Sequence, residues 1–195
     1  MTALDSTHQG RLPLLSSEAA RQAAETVDLP APFTDLNVFR MLLHAPRTAK
    51  AVSDLLLSLL FGGKLDGRLR ELVIMRLGWA TDCCYEWTQH WPIALERFGC
   101  SEEDLFAVRN WRDSDHLGES EKAVLAAVDE TLETGTLCDA TWRRCAEAVG
   151  GEVERLELVA AIATWRWISQ VARSLEIPLE DGVAAWPPDG LRPQT

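Results

Sequence analysis

The segment from residue 81 to residue 90 brings three chemically reactive kinds of side chain into one short stretch. Cys83, Glu86 and His90 stand at positions i, i+3 and i+7. That spacing places a thiol, a carboxylate and an imidazole on one face of an α-helix. Apolar residues such as Trp87 share this face, which predicts that it turns toward the core. Because unpaired polar groups are costly to bury, we expect the three side chains to have a function, and catalysis is a candidate.

A second carboxylate, Glu71, lies twelve residues before Cys83, in the run GRLRELVIMRLGWA. The run is apolar on almost all sides, which predicts a central buried helix, and Gly78 predicts that another helix approaches it closely. Glu71, Glu86 and His90 would then share one cavity. Burial and mutual repulsion raise the pKa of one carboxyl group, which leaves one proton donor and one acceptor. This indicates decarboxylation, isomerisation or ring chemistry through an enol or enolate, with no cofactor.

The rest of the chain predicts helices that would position this group. Proline and glycine punctuate the apolar segments, and no alternating strand pattern or hairpin signal occurs. Asp82 is expected to cap the reactive helix, and Pro92 to kink it. We predict an all-α, single-domain bundle of about eight or nine helices. Residues 1–30 would form an N-terminal extension, residues 31–180 the helical domain and residues 181–195 a flexible C-terminal tail.

Composition restricts the classes of partner. The chain has 195 residues, 47% of them hydrophobic, and a formal charge of −11, which argues against disorder, nucleic-acid binding and attraction to anionic membranes. No stretch is apolar enough to span a bilayer, and the first residues do not resemble a signal peptide. The five cysteines give no disulfide framework. We therefore expect a cytoplasmic protein with a small-molecule substrate, no nucleic acid and no membrane partner.

The runs RELVIMRLGWATDCCYEWTQH and FGCSEEDLFAV resemble the carboxymuconolactone decarboxylase and alkylhydroperoxidase-D superfamily. The specific part of the resemblance covers about 45 residues, from 67 to 110. It implies an AhpD-like helical bundle that assembles as a homo-oligomer, with pockets near subunit contacts. The decarboxylase branch acts on a small lactone acid. The resemblance therefore implies a small organic acid, lactone or related metabolite as the substrate.

The peroxidase branch of this superfamily uses a Glu, a Cys-x-x-Cys pair and a His. In this sequence Glu71 matches the Glu, Cys83 the first Cys and His90 the His, but the second Cys position is Glu86. The preceding position, a His in that branch, is Tyr85. The redox pair is therefore broken. An extra thiol, Cys84, follows Cys83 directly, and adjacent cysteines bond only through a strained ring.

We predict that Glu71, Glu86, His90 and Cys83 form the catalytic group, without a metal or a cofactor. Tyr85, Trp87, Cys84 and Met75 are predicted to line the pocket. Three alternatives stay open. The first is an alkylhydroperoxidase-like antioxidant enzyme that uses Cys83 and Cys84. The second is a non-catalytic oligomeric module, in which Glu71 pairs with a nearby arginine and Glu86 with His90. The third is a metal site made of Glu71, Glu86 and His90.

Overall fold

The computed structural model describes residues 10–194, so the first nine residues of the predicted extension and Thr195 lie outside the described residues. The described part contains nine α-helices and no strand, which confirms the predicted all-α fold. The helices are α1 (Ser17–Glu25), α2 (Asn37–Leu42), α3 (Pro46–Leu57), α4 (Gly67–Ala80), α5 (Cys84–Arg97), α6 (Glu102–Ala107), α7 (Glu119–Thr134), α8 (Asp139–Val149) and α9 (Glu152–Ser174). Over the residues described, no helix has the length and apolar character needed to cross a membrane.

The chain divides into two compact units. One consists of residues up to Leu56 together with Val171–Val183, and the other of Leu57–Gln170 together with the last residues from Ala184. In the first unit, the side chain of Asn37 donates hydrogen bonds to the carbonyl groups of Pro178 and Leu179. The second unit contains every predicted site residue. The domain boundaries predicted from the sequence stay a prediction.

Helices α4 and α5 form the centre of the second unit. Asp66 caps α4 by accepting a hydrogen bond from the N–H of Leu69, and apolar side chains of α4 are buried on several sides of the helix. A Cβ atom at Gly78 would lie 3.1 Å from the backbone nitrogen of Trp87. The two helix backbones therefore approach each other as closely as the glycine allows, as the sequence predicts.

The connection between α4 and α5 differs from the prediction. Cys83, not Asp82, occupies the N-cap position of α5, and Asp82 has a φ of +53°. The linker is only three residues long, and its reversal requires a residue in the left-handed region, which aspartate tolerates better than most. The N–H of Cys83 donates to the carbonyl of Gly78 at 2.8 Å, which closes the turn. Helix α5 continues past Pro92 to Arg97.

The last residues of the chain contact α5. The indole of Trp87 donates to the carbonyl of Pro187 at 2.8 Å, and the N–H of Trp186 donates to Thr88 Oγ1 at 3.1 Å. The ring of Trp186 also packs against that of Trp87. The composition of residues 181–195 does not indicate these contacts, because they depend on aromatic partners about 100 residues earlier in the chain.

Replacement of Gly78 by valine should destabilise the protein by about 1–3 kcal/mol, because the new side chain would overlap the backbone of α5. Urea unfolding, followed by circular dichroism, measures the change. Gly62→Val is the matched control, since a Cβ at that position meets no atom within 4 Å. Equal midpoints for the two variants would contradict the close contact between α4 and α5.

Candidate active site

The first element of the site is a buried pair formed by Glu71 of α4 and His90 of α5. Glu71 Oε2 lies 2.8 Å from His90 Nδ1, a hydrogen-bonding distance. The Glu71 side chain is completely buried, and 12% of the His90 side chain is exposed. A carboxylate in such an apolar helix needs a partner, and the imidazole provides it. The expected meeting of these two groups is therefore found in the structure.

The second nitrogen of His90 has a partner on α9. The indole Nε1 of Trp165 donates a hydrogen bond to His90 Nε2 at 3.1 Å. An indole N–H can only donate, so His90 Nε2 has to accept with an unprotonated lone pair. The ring proton is then on Nδ1, from which it is donated to Glu71. This tautomer is inferred from the two hydrogen bonds.

Glu86 is buried in the same unit but has a different environment. Its Oε2 accepts a hydrogen bond from Ser169 Oγ at 3.0 Å. Burial raises the pKa of Glu86 to about 8, and the charge of Glu71 adds to the rise, whereas His90 and Ser169 oppose it. Glu86 is therefore largely protonated at neutral pH, and its neutral carboxyl group is able to donate a proton.

The charges around His90 act in opposite directions. Burial lowers the pKa of His90, but the charge of Glu71 and the hydrogen bond to it raise the pKa, and the net shift is upward. The charge of Glu86 adds to the rise, and that of Arg70 opposes it. A carboxylate that stabilises a cationic imidazole in a buried position is the arrangement expected for a proton acceptor.

The arginines near Glu71 have mostly other partners. Arg68 pairs with Asp104 and Glu121, and Arg76 pairs with Asp129. Only Arg70 approaches Glu71, with 3.5 Å between Nη2 and Oε1, and its guanidinium group also lies over the ring of Phe98. The alternative in which an arginine pairs with Glu71 is therefore present, but His90 makes the shorter contact.

The two thiols lie at the other end of this face of α5. Cys83 is buried, and Cys84 is half-buried with its Sγ 3.7 Å from Thr88 Oγ1. Burial raises the pKa of the Cys84 thiol. Cys83 lies seven positions before His90, which corresponds to a rise of about 10 Å along a helix. The thiols are therefore not part of the Glu71–His90 hydrogen-bonding group.

Of the four residues predicted to line a pocket, three are buried and Cys84 is half-buried. Trp87 is fully buried among the rings of Trp79, Trp91 and Trp186, and Tyr85 and Met75 are also buried. Their contact with a substrate stays a prediction. Over the described residues, no three His, Cys, Asp or Glu side chains are arranged to hold a metal ion, so the metal alternative has no geometric support.

Sequence reasoning missed two residues of the site, Trp165 and Ser169. They lie 75 and 83 residues after the groups that they contact. Ser169 itself gives a weak signal, because it is one of two buried hydroxyl residues of α9, with Thr164, among buried apolar side chains. Nothing in the spacing of the sequence connects α9 to α5.

Comparisons with known proteins concern the stretch of sequence that carries the site and the fold of the chain. The carboxymuconolactone decarboxylase family matches residues 46–130, a stretch that contains Glu71, Cys83, Glu86 and His90. The match covers less than half of the chain, and it confirms the resemblance to the carboxymuconolactone decarboxylase and AhpD-like superfamily. No curated protein matches the chain.

Solved structures share the fold at low sequence identity. An uncharacterised peroxidase-related protein from Ralstonia eutropha, described as an alkylhydroperoxidase AhpD core, has a TM-score of 0.72 and 18% identity, with 96% of this chain and 100% of that chain covered. A debrominase, solved as a cysteine-to-alanine variant with 2,3,4-tribromopyrrole, has a TM-score of 0.70 and 18% identity, with 91% and 94% covered. A protein of unknown function from Agrobacterium tumefaciens has a TM-score of 0.64 and 22% identity, with 71% and 94% covered.

The raised pKa of Glu86 predicts a pH-dependent stability. In the folded protein the pKa of Glu86 is about 8, whereas an unfolded glutamate loses its proton near the ordinary pKa of 4.5. The contribution of Glu86 is therefore complete below pH 4.5 and is lost as the pH rises through 8. Glu86→Gln mimics the neutral acid. The loss of unfolding free energy between pH 4.5 and pH 8 should therefore be smaller in this variant by a few kcal/mol.

Urea unfolding of the wild type and Glu86→Gln between pH 5.5 and 8.5 measures the difference. We expect the free energies of unfolding to be similar at pH 5.5 and the variant to be the more stable of the two at pH 8.5. Glu119→Gln, which alters an exposed carboxylate, is the matched control. Parallel curves for wild type and Glu86→Gln over the whole range would mean that Glu86 is ionised in the folded protein.

Proposed function

We propose that the protein is a cofactor-independent acid–base enzyme that acts on a small organic acid, a lactone or a related metabolite. The observation that carries the proposal is the buried hydrogen bond of 2.8 Å between Glu71 and His90, in the same unit as Glu86, whose pKa is raised to about 8. An imidazole base and a neutral carboxylic acid in one site are what enol or enolate chemistry at neutral pH requires.

Each group has a defined role in the proposed reaction. His90 Nε2 accepts a proton from a carbon atom next to a carbonyl or carboxyl group. Glu71 stabilises the imidazolium that forms, because its carboxylate already accepts the hydrogen bond from Nδ1. Glu86 donates its proton to the developing enolate oxygen. An isomerisation is completed when Glu86 takes this proton back and His90 delivers its proton to a different carbon atom of the enol or to its opposite face. Decarboxylation uses the same acid to stabilise the enolate left by departing carbon dioxide.

The family supports the choice of substrate class. The stretch that carries Glu71, Glu86 and His90 matches the carboxymuconolactone decarboxylase family, whose name denotes a reaction on a small lactone acid. The absence of a cofactor, and a cytoplasmic location, are part of the proposal as predictions.

A second candidate function is thiol chemistry at Cys83. Cys83 occupies the N-cap of α5, close to the positive end of the helix dipole, which favours a thiolate. A debrominase with a similar fold was solved with a cysteine replaced by alanine and 2,3,4-tribromopyrrole bound, which makes a cysteine variant at Cys83 a useful comparison. Against it stand the broken Cys-x-x-Cys motif and the raised pKa of the neighbouring Cys84.

Solvent-deuterium exchange separates these functions. We would incubate the protein in D₂O with a panel of enolisable keto acids and lactone acids and follow exchange and product formation by NMR. Glu71→Gln and His90→Gln should each slow exchange by roughly 10²–10⁴-fold, the usual effect of losing a general acid or base. Glu119→Gln should have no effect, and Cys83→Ser should change the rate less than tenfold.

Other outcomes decide against the acid–base proposal. Loss of turnover in Cys83→Ser, with Glu71→Gln active, would assign the reaction to the thiol. Folded wild-type protein that exchanges no member of the panel would favour the non-catalytic oligomeric module.

We also propose that the chain forms a homo-oligomer through α9. Its outer face carries exposed apolar side chains, namely Val153, Leu156, Val159 and Trp167, and Leu156 is 69% exposed. An apolar stripe of this kind is typical of an interaction surface. The family resemblance implies a homo-oligomer, so the occupant that we propose for this stripe is α9 of a second copy of the chain.

Leu156→Glu should therefore reduce the molar mass of the particle in solution, because it places a charge in the apolar stripe of each copy. Light scattering coupled to size-exclusion chromatography measures the mass. Leu191→Glu is the matched control, since Leu191 is similarly exposed, at 60%, outside α9. A wild-type particle with the mass of one chain, or a Leu156→Glu particle of unchanged mass, would contradict an interface at α9.

A further inference from the structure

The contact between Trp165 and His90 places a restriction on the site that the proposed function does not explain. His90 Nδ1 is engaged with Glu71, and Nε2 accepts the indole N–H of Trp165. The two rings meet edge to face with their centroids 5.8 Å apart. Both ring nitrogens are therefore occupied, and a substrate has access to Nε2 only after the indole leaves it.

We propose that Trp165 is a positioning residue that holds His90 in the Nδ1–H tautomer and keeps Nε2 unprotonated as the proton-accepting atom until a substrate displaces the indole. Trp165 itself exchanges no proton, because an indole N–H is not acidic enough to transfer at neutral pH. Its effect is instead to disfavour protonation of Nε2, since a protonated Nε2 and the indole would point two N–H groups at each other. The inference deepens the proposed function and rests on it only for the role of Nε2.

The charged groups around His90 explain why a restraint on Nε2 is needed. Glu71 favours the imidazolium, Glu86 adds to this effect only when it is ionised, and Arg70 opposes it. Without a further restraint, the carboxylate at Nδ1 would favour a ring that is charged before the substrate arrives and therefore unable to accept a proton. The indole N–H is a neutral donor that opposes this charge at the other nitrogen. Because Trp165 is fully buried, its hydrogen bond does not compete with water.

The other histidines of the described chain provide an internal contrast. His44 Nε2 lies 2.8 Å from the carbonyl oxygen of Pro13, and His116 Nε2 lies 2.8 Å from Asp104 Oδ1. Both partners accept, so these two rings carry a proton on Nε2. His90 should differ from both, with a proton on Nδ1 and a bare Nε2, and that difference is visible by nitrogen NMR.

Long-range ¹H–¹⁵N correlation spectra of protein labelled at histidine test the inference without any substrate. In the wild type, one ring should show a protonated Nδ1 and an unprotonated Nε2, and this signal should be absent in His90→Gln. Trp165→Phe keeps an aromatic ring and removes only the donor. It should move the Nε2 shift and raise the midpoint of the His90 titration by about one pH unit, the effect of losing one neutral hydrogen bond.

A chemical readout accompanies the spectra. Diethyl pyrocarbonate modifies an unprotonated imidazole nitrogen. At a pH above the His90 midpoints of both proteins, His90 in Trp165→Phe should therefore react at least tenfold faster than in the wild type, because the indole no longer covers Nε2. Peptide mass spectrometry follows the modification. Trp167→Phe is the matched control, because it changes an exposed tryptophan two residues away on the same helix. Its spectra, titration and reactivity at His90 should equal those of the wild type.

Two results would overturn the inference. One is a wild-type His90 with its proton on Nε2, as in His44 and His116. The other is a Trp165→Phe protein, folded by circular dichroism, in which the His90 shifts and titration are unchanged. Failure of the proposed function is a separate result. A protein that exchanges no proton of any tested compound can still show the expected His90 tautomer in the nitrogen spectra.

Discussion

The site depends on one constraint, the burial of the Glu71 carboxylate in a helix with few polar neighbours. An ionised group in this position is tolerated only when other groups complete its hydrogen bonds, and removal of one partner from a buried pair typically costs about 3–5 kcal/mol. His90 meets that requirement at 2.8 Å, and the more distant Arg70 contributes on the other oxygen. The close approach at Gly78 brings α5 near enough to α4 for the imidazole to reach Glu71.

The two carboxyl groups of the site differ because their neighbours differ. Glu71 has the imidazole and a guanidinium group beside it, whereas Glu86 has one direct contact described here, from the hydroxyl of Ser169. Burial therefore dominates at Glu86 and raises its pKa to about 8. The same residue type thus provides a carboxylate at one position and a neutral acid at the other, which is a common way to obtain both chemistries at one pH.

The arginines of α4 show how the surrounding structure protects this balance. Arg68 holds α4 to α6 and α7 through ion pairs with Asp104 and Glu121. Burial alone would raise the pKa of Asp104, but its hydrogen bonds, first of all the one from Arg68, lower that pKa. Arg76 is held by Asp129 on α7. These cations are occupied elsewhere, so Arg70 is the one arginine of α4 that affects the charge of the Glu71–His90 pair.

The sequence alone determined the helical class, the resemblance to the carboxymuconolactone decarboxylase and AhpD-like superfamily, and the pair of helices that carry the predicted site residues. Apolar periodicity and glycine and proline punctuation are local signals, and Glu71, Glu86 and His90 lie within twenty residues of one another. Local signals were less reliable at the turn, where Cys83 caps α5 in place of Asp82 because the short linker needs a left-handed residue. Only the tertiary structure decided the partners of His90 and Glu86 on α9 and the contact of Trp186 with α5. Those contacts join residues 75 to 98 positions apart, and side-chain spacing along a chain carries no information about which distant helix face will cover it.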